Sequence, residues 1–200
     1  ASVVSFSAEK ALKKRVILLS GEEEQLRRRA LSELFSTLGV QKDDFDVEYT
    51  AADVSSPVQW YASASTSPFL AERRVVVVRY LLRRDVEDLK GIGLGALPES
   101  SLLILIADEE AATTDDRARR LATLRGKWEK AVTEAGGHVE AFKVDSKAVR
   151  DVIKKEAAKA DKTMSDKAAD TLLEMTGGGV SRALDELEKR HVRSPPGTVH

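Results

Sequence analysis

The chain has 200 residues, 42% hydrophobic and 32% charged, enough for one full hydrophobic core with or without a smaller companion domain. Its 32 Lys and Arg nearly balance its 33 Asp and Glu. The resulting net charge of -1 argues against a protein whose whole surface grips phosphates, so any nucleic-acid contact would be local. Cysteine is absent, which excludes a disulfide framework, a thiolate zinc site and a thiol nucleophile.

Membrane and export signals are missing from the sequence. The longest apolar run, Leu102 to Ala107, is far shorter than the roughly 20 residues that a membrane span needs. The N-terminus lacks an apolar signal segment, and the first 14 residues carry only a weak amphipathic pattern to which we assign no role. We therefore expect a protein of the reducing cytosol with no membrane partner.

Predicted strands and helices alternate through the first part of the chain. Val16 to Leu19 is the first strand, and the helix after Gly21 has glutamates in its first turn, where the macrodipole favours anions. Phe45 to Tyr49 alternates apolar and polar side chains and predicts a second strand. A serine cap before Pro57 predicts a helix that ends near Ser65.

The next part of the chain continues the alternation. Val75 to Val78 is a β-branched run bounded by arginines, typical of a strand buried on both faces of a parallel sheet. The remaining predicted elements are a short helix at Leu81 to Lys90, a strand at Leu102 to Ile106, a helix from about Asp115 to Ala135 and a strand at Val139 to Val144. Five strands separated mostly by helices predict an α/β domain with a doubly wound parallel sheet over residues 1–144.

From residue 145 onward the hydrophobic period is helical only. Caps and glycines predict three helices: one from Asp145 or Ser146 to about Ala160, one from Ser165 to the glycines at 177–179, and one from about Val180 to His191. Residues 145–200 are therefore predicted to form a small three-helix domain and the start of a linker.

An α/β sheet raises the question of a nucleotide site. A phosphate loop after the first strand needs two glycines, a lysine and a Ser or Thr. Here Leu26, Arg27 and Arg28 replace the last three of these four residues, and only Gly21 is present. Three glutamates in the same turn would also oppose a polyphosphate, since two unit charges about 4 Å apart repel by roughly 4 kcal/mol at an effective dielectric near 20. We expect no nucleotide site and no cofactor.

Three other patterns resemble catalytic or ligand sites. Asp108 and Glu109 follow a buried strand as a magnesium-binding pair would, but without a phosphate loop we interpret them as a structural acidic turn. The glycines at 91, 93 and 95 do not follow a strand and so are not a dinucleotide fingerprint. The histidines, which share no metal-ligand spacing, are His138, His191 and His200. We predict no catalytic residues and no metal site.

Clustered arginines are predicted to lie on solvated helix faces. Glu23 and Arg27, like Glu24 and Arg28, have the spacing of exposed ion pairs on a helix. A DNA-facing role for some of these residues stays open, although no aromatic residues are interleaved with them. The clustered residues are Arg27, Arg28, Arg29, Arg117, Arg119 and Arg120.

Two large apolar residues, Phe69 and Leu70, follow Pro68 in a segment otherwise rich in Ser and Ala. They come after the helix that ends near Ser65 and before the strand at Val75 to Val78, where the chain meets the rim of the sheet. Such side chains either fold inward and cap the core or bind a partner. The pattern alone favours the inward interpretation.

In element order and in three segments, the chain resembles the delta subunits of bacterial DNA polymerase III, which belong to the clamp loader. The segments are Leu-Leu-Ser-Gly-Glu-Glu at 18–23, Ser-Pro-Phe-Leu-Ala-Glu-Arg-Arg-Val-Val-Val-Val at 67–78 and Ala-Leu-Asp-Glu-Leu-Glu-Lys at 183–189. The resemblance spans residues 15–192, and its most specific part is Pro-x-x-x-Glu-Arg-Arg with the valine run. It implies an AAA+-like five-stranded sheet, a three-helix lid and no working phosphate loop.

The resemblance also implies a function: binding and opening the ring-shaped sliding clamp, the beta subunit, without hydrolysing ATP, as part of the polymerase III holoenzyme. In the family, two adjacent apolar residues at the tip of a helix insert into a pocket on the clamp. The matching positions are Phe69 and Leu70, and Pro68 stands where the family often has another large apolar residue.

Further partners are implied in the same way. They are primed DNA in the assembled loader, and other loader subunits through a collar domain that follows the lid and that this sequence does not include. Two other functions share the fold and stay open from the sequence: an AAA+-type nucleotide hydrolase, and a partner-binding scaffold unrelated to replication.

Overall fold

The computed structural model describes residues 6–108, 112–143, 146–159, 163–165, 167–169, 171 and 198–199. The chain divides into two compact units. One comprises Phe6–Gly21 and Arg27–Ala141, and the other comprises Glu22–Leu26 and the described residues from Phe142 onward. The domain boundary predicted between residues 144 and 145 lies outside the described residues.

A five-stranded, all-parallel sheet organises the first of these units. Its strands are β1 (Val16–Gly21), β2 (Val47–Ala51), β3 (Arg74–Arg79), β4 (Ser101–Ile106) and β5 (His138–Phe142). They lie in the order β2-β3-β4-β1-β5, so each strand that follows a helix returns to the sheet by a crossover. The predicted α/β class with a parallel sheet is confirmed.

The three central strands explain why the sequence reads as continuous apolar runs. Helices cover both faces of a parallel sheet, so side chains on either face of a central strand are buried. The four valines of β3 are fully buried, as are Leu102 to Leu105 of β4. β2, at one edge of the sheet, is only partly buried along its length.

The described helices, apart from a short first helix that was not predicted, lie at positions in the sequence close to those predicted. They are α1 (Ala8–Ala11), α2 (Glu24–Leu38), α3 (Pro57–Ser65), α4 (Asp115–Glu134) and α5 (Ser146–Lys159). α3 begins with a capping box, in which the Ser56 hydroxyl accepts from the Gln59 N–H and the Gln59 side chain accepts from the Ser56 N–H. Pro57 at the first helical position completes the predicted start.

The helix predicted at Leu81 to Lys90 is wrong. This region forms short 3₁₀ turns at Leu81–Arg83 and Val86–Leu89, and a third follows at Leu94–Ala96. The Asp85 side chain caps the second turn by accepting from the Glu87 N–H at 3.0 Å, and so starts a new turn after the first one ends.

The second strand also differs from its prediction, because it begins at Val47 rather than at Phe45. The residues just before it form a turn, closed by a hydrogen bond of 3.0 Å from the Val47 N–H to the Asp44 carbonyl. Phe45 therefore lies in this turn, 72% exposed, instead of in the sheet.

Only part of the predicted three-helix domain can be compared with the structure. α5 matches the first predicted helix, and the hydroxyl of Ser165 accepts from the Ala168 N–H at 3.1 Å, as expected of a cap. The remainder of the second helix and all of the third lie outside the described residues. Thr163–Met164 (β6) pairs in parallel with Thr198–Val199 (β7), a ladder that the sequence did not predict.

Two tryptophans from different helices meet in the core beside the sheet. The ring centroids of Trp60 in α3 and Trp128 in α4 are 6.3 Å apart, and both side chains are almost fully buried. Each indole N–H finds an acceptor, Trp60 at the Ser55 hydroxyl and Trp128 at the Arg84 carbonyl. These contacts fix α3, which leads directly into the segment that holds Phe69 and Leu70.

Candidate functional site: an exposed apolar tip

The tip, as we call residues 68–70, lies in the connection between α3 and β3. α3 ends at Ser65 because Thr66 has an extended backbone (φ -63°, ψ 133°), and Pro68 disfavours a helical residue before it. The resemblance implied side chains at the tip of a helix; Phe69 and Leu70 instead follow the helix end. They precede β3, so they lie at the end of the sheet where the parallel strands begin.

Both large side chains of the tip face solvent. Phe69 is 74% exposed and Leu70 is 78% exposed, while Pro68 is half-buried. The inward interpretation, in which Phe69 and Leu70 cap the core, is therefore wrong. Neither side chain contributes much to the burial that stabilises the fold, so both are available to another molecule.

A single carboxylate fixes the backbone of the tip. Asp46 accepts from the N–H of Phe69 through one oxygen and from the N–H groups of Leu70 and Ala71 through the other, each at 2.6 Å. The bonds from Ala71 and Phe69 lower the pKa of Asp46, the Leu70 N–H and the charge of Arg74 lower it further, and burial opposes them. Because the backbone is held inward, the side chains project outward.

Arg74 supports the tip from the other side. Its guanidinium donates to the Glu48 carboxylate at 2.6 Å and to the carbonyls of Ser63 and Phe45, each at 3.3 Å. The Ser63 hydroxyl donates to the same Glu48 oxygen at 2.7 Å. One arginine thus ties together the end of α3, strand β2 and the turn before that strand.

Arg73, its neighbour, anchors the same loop to the segment between α1 and β1 and to the start of β4. Its guanidinium donates to the carbonyls of Leu12, Lys14 and Ser101 at 2.8 to 3.0 Å. Burial lowers the pKa of Arg73, and the nearby charge of Arg15 lowers it further. Both arginines of the Glu-Arg-Arg motif therefore hold the loop in place and do not themselves extend the exposed apolar surface.

Phe45 adds a residue that the sequence reasoning missed. Its ring centroid lies 5.3 Å from that of Phe69, with the rings tilted by 55°. The alternation from Phe45 to Tyr49 hid it inside a predicted strand. The signal that could have found it is the pair of aspartates just before it, Asp43 and Asp44, which favour a turn.

At the opposite end of the sheet, where the strands end, lies the position that a phosphate loop would occupy. Gly21 has φ +98°, and the Arg27 guanidinium donates to the Gly21 carbonyl. Arg27 and Glu23 were predicted to be exposed, but they are 5% and 6% exposed. The guanidinium of Arg27 turns back to the Gly21 carbonyl. Arg28 is exposed, as predicted.

Asp108, at the end of β4, is held by an arginine. The Arg79 guanidinium donates to one Asp108 oxygen at 2.6 and 2.9 Å, and the Tyr80 N–H donates to the other at 2.6 Å. Burial acts to lower the pKa of Arg79, but its bond to Asp108 and the charge of Asp108 outweigh burial and raise it. This pairing fits the structural role proposed for Asp108; Glu109 lies outside the described residues.

The remaining candidates form no site where the structure describes them. His138 pairs with Glu140 at 2.9 Å, and the other two histidines lie outside the described residues. Gly91, with φ +82°, lies in a turn between 3₁₀ segments and not after a strand. Within the described ranges, no three His, Cys, Asp or Glu side chains group as metal ligands would, and no helix is long and apolar enough to cross a membrane.

Comparison with solved structures gives this fold a precedent. The DNA clamp loader delta protein of Bacillus subtilis is similar to this chain with a TM-score of 0.56 and 22% identity, over 96% of this chain. The chain spans 59% of that protein's length. A gamma subunit-related protein of DNA polymerase III from Thermotoga maritima matches with a TM-score of 0.48 and 16% identity, over 90% of this chain and 56% of its own.

A third similar structure is the Thermotoga maritima RuvB Holliday junction branch migration motor. It has a TM-score of 0.43 and 16% identity, covering 90% of this chain and 58% of its own. No protein-family model and no curated protein sequence matches the chain. The similarity to the delta protein shows that the chain shares the α/β fold of that protein, in agreement with the predicted fold.

Proposed function

We propose that the chain is a clamp-loader subunit of the bacterial replicative polymerase, which binds and opens the sliding clamp through the tip. The observation that carries the proposal is the pair Phe69 and Leu70, exposed on a loop whose backbone Asp46 holds in place. Exposed apolar side chains on a fixed loop are an arrangement suited to insertion into a pocket of a partner.

The two side chains of the tip offer a large part of the energy that such a contact needs. Burying one Phe or Leu side chain is worth about 1.5 to 3 kcal/mol, and both side chains are exposed before binding, so most of that gain remains available. The three amides bonded to Asp46 restrict the loop in the free protein. A loop that is already ordered loses less conformational entropy on binding.

Opening the ring requires more than binding. A ligand shifts an equilibrium only by its differential affinity for the two states, so the tip must contact the open clamp better than the closed ring. We therefore expect this chain to bind a clamp whose ring interface has been broken by mutation more tightly than the closed ring. Equal affinities would mean that the chain binds the clamp without opening it.

The chain is proposed to act without hydrolysing ATP. Support comes from the phosphate-loop position, where Leu26, Arg27 and Arg28 stand in place of the required glycine, lysine and Ser or Thr. The bond from Arg27 to the Gly21 carbonyl occupies the same turn. Binding of labelled ATP at micromolar concentration would favour the AAA+ hydrolase alternative instead.

The wider role belongs to the same proposal. In the cytoplasm, as part of the DNA polymerase III holoenzyme, the chain would contact other loader subunits and primed DNA. The chain spans 59% of the length of the delta protein, so that protein has further residues with no counterpart here.

A pull-down and a quantitative titration with the sliding clamp of the same organism test the proposal. Phe69→Ala combined with Leu70→Ala is expected to abolish binding with almost no change in melting temperature, because both side chains are exposed. The matched control is Val54→Ala with Val58→Ala, which removes apolar groups 78% and 64% exposed elsewhere on the unit. No affinity of the wild type for the clamp would favour a scaffold unrelated to replication, and equal measurable binding by all three proteins would mean that the tip is not the contact.

A further inference from the structure

Phe45 presents a third large apolar surface beside the tip. Its side chain is 72% exposed, close to the values of Phe69 and Leu70, and its ring lies 5.3 Å from the Phe69 ring. Phe45 lies in the turn before β2, and Phe69 lies in the loop before β3. These two strands pair in parallel, so the turn and the loop lie together at the end of the sheet where the strands begin. The two rings therefore form one exposed apolar surface, and exposed Leu70 follows Phe69 in the chain.

Phe45 is held outward by its backbone. The turn that contains it is closed by the bond from the Val47 N–H to the Asp44 carbonyl, and the Asp44 carboxylate accepts from the Gln41 N–H at 2.8 Å. Arg74 donates to the Phe45 carbonyl. The turn and the arginine fix the backbone, and the ring remains exposed beside the Phe69 ring.

We propose that Phe45 is a third contact residue for the apolar pocket of the sliding clamp, together with Phe69 and Leu70. The inference rests on the proposed function and extends it, because it assigns a residue from outside the tip to the same partner surface. Phe45 would lie against the wall of the pocket while Phe69 and Leu70 enter it.

The position of the exposed apolar residues places Phe45 on the surface that the tip would present to the clamp. Within the described part of the chain, the large hydrophobic residues that are exposed are Phe45, Val54, Val58, Phe69 and Leu70. Phe45 contacts Phe69 directly, whereas Val54 follows β2 and so lies at the other end of the sheet, where the strands finish. A pocket that receives Phe69 therefore extends naturally over Phe45. Exposed Asp44 and Glu72 flank the surface, as a charged rim flanks an apolar interface centre.

Affinity measurements separate this inference from the proposal beneath it. Phe45→Ala is expected to weaken binding of the same organism's clamp by about 10- to 100-fold, the size of effect seen for a residue near the centre of an interface. The melting temperature should stay near that of the wild type. Val54→Ala changes a similarly exposed residue at the opposite end of the sheet and should leave the affinity unchanged.

The outcomes are distinguishable. If Phe69→Ala with Leu70→Ala abolishes binding while Phe45→Ala binds as the wild type does, the inference about Phe45 is overturned and the proposed function stands. If none of these variants changes the affinity, both are overturned.

A cross-linking experiment distinguishes contact from support of the Phe69 ring. The chain with p-benzoylphenylalanine in place of Phe45 should form a covalent adduct with the clamp on irradiation, and the chain with the same group in place of Val54 should not. If the first chain binds the clamp but gives no adduct, Phe45 does not contact the clamp and the inference is overturned.

Discussion

The carboxylate of Asp46 accepts a hydrogen bond of 2.6 Å from the backbone N–H of Leu70, a residue 24 positions further along the chain. This bond joins the turn before β2 to the loop before β3. A carboxylate has only acceptor atoms, so it can take several N–H groups at once, and here it takes three. The outward direction of Phe69 and Leu70 is therefore set by a residue that has no apolar surface of its own.

Replacing this carboxylate should weaken clamp binding while leaving the apolar side chains in place. In Asp46→Asn one acceptor oxygen becomes an NH₂ group that faces backbone N–H groups, so at least one of the three bonds is lost. We expect the clamp dissociation constant to rise about tenfold and the melting temperature to fall. Titration with the clamp and thermal denaturation measure the two effects.

Asp85→Asn is the matched control, since Asp85 follows β3 at the other end of the sheet and accepts from one backbone N–H, which an amide oxygen can still receive. Wild-type affinity in Asp46→Asn would mean that the tip keeps its conformation without the carboxylate.

Acid should remove the contribution of Asp46 to stability. Its folded-state pKa is lowered, chiefly by the N–H groups of Ala71 and Phe69, so the ionised form is favoured in the folded protein. This contribution is fully present above the unfolded pKa of about 3.9 and is lost as pH falls through the lower, folded pKa. We expect the difference in unfolding free energy between the wild type and Asp46→Asn to be constant above pH of about 5 and to shrink below about 3.9.

Urea denaturation of both proteins across this pH range makes the measurement. A difference that stays constant into the acid range would show that the charge of Asp46 does not stabilise the loop.

Arg73 should matter for stability and not for the partner. In Arg73→Lys one ammonium cannot reach the carbonyls of Leu12, Lys14 and Ser101 together, so buried acceptors lose their donors. We expect the free energy of unfolding to fall by about 1 to 3 kcal/mol. Clamp affinity should change little under conditions where the variant is folded, because the guanidinium bonds to carbonyls of the protein itself and is not part of the exposed apolar surface. Urea denaturation compares it with Arg29→Lys, a change on an exposed helix surface that should have almost no effect.

The sheet could be predicted because its signals are local and redundant. The valines of β3 are continuous β-branched residues between charges, and only a strand buried on both faces satisfies that composition. α3 could be placed to the residue because serine before proline is both a cap and a helix start. The region after β3 could not, because Tyr80 adopts a left-handed backbone (φ +56°) that no neighbouring residue signals, and it separates the strand from the 3₁₀ turns.

The candidate site could be predicted only in part. Phe69 and Leu70 were identified by type, but whether they faced inward depended on Asp46, far away in sequence. Phe45 was missed because period-two alternation also fits a turn that leads into a strand. Burial of Arg27 was missed for a similar reason: helix spacing predicted an exposed side chain, and the bond from its guanidinium to the Gly21 carbonyl is not encoded by that spacing. Each error involves a contact between side chain and backbone that hydrophobic patterns do not encode.

The ion pair between Arg79 and Asp108 should contribute to stability although half of the arginine is in solvent. The side chain of Asp108 is 12% exposed and that of Arg79 is 44% exposed, so Arg79→Ala leaves a nearly buried carboxylate with only the Tyr80 N–H. We expect a loss of about 1 to 3 kcal/mol, below the value for fully buried pairs because water still reaches the arginine. Arg119→Ala breaks a pair with Asp116 in which both side chains are 79% exposed, and should cost less than about 0.5 kcal/mol. Urea denaturation at pH 7 compares the two variants. Equal losses would mean that water reaches Asp108 freely, and this end of the sheet would then have to be considered open to a ligand.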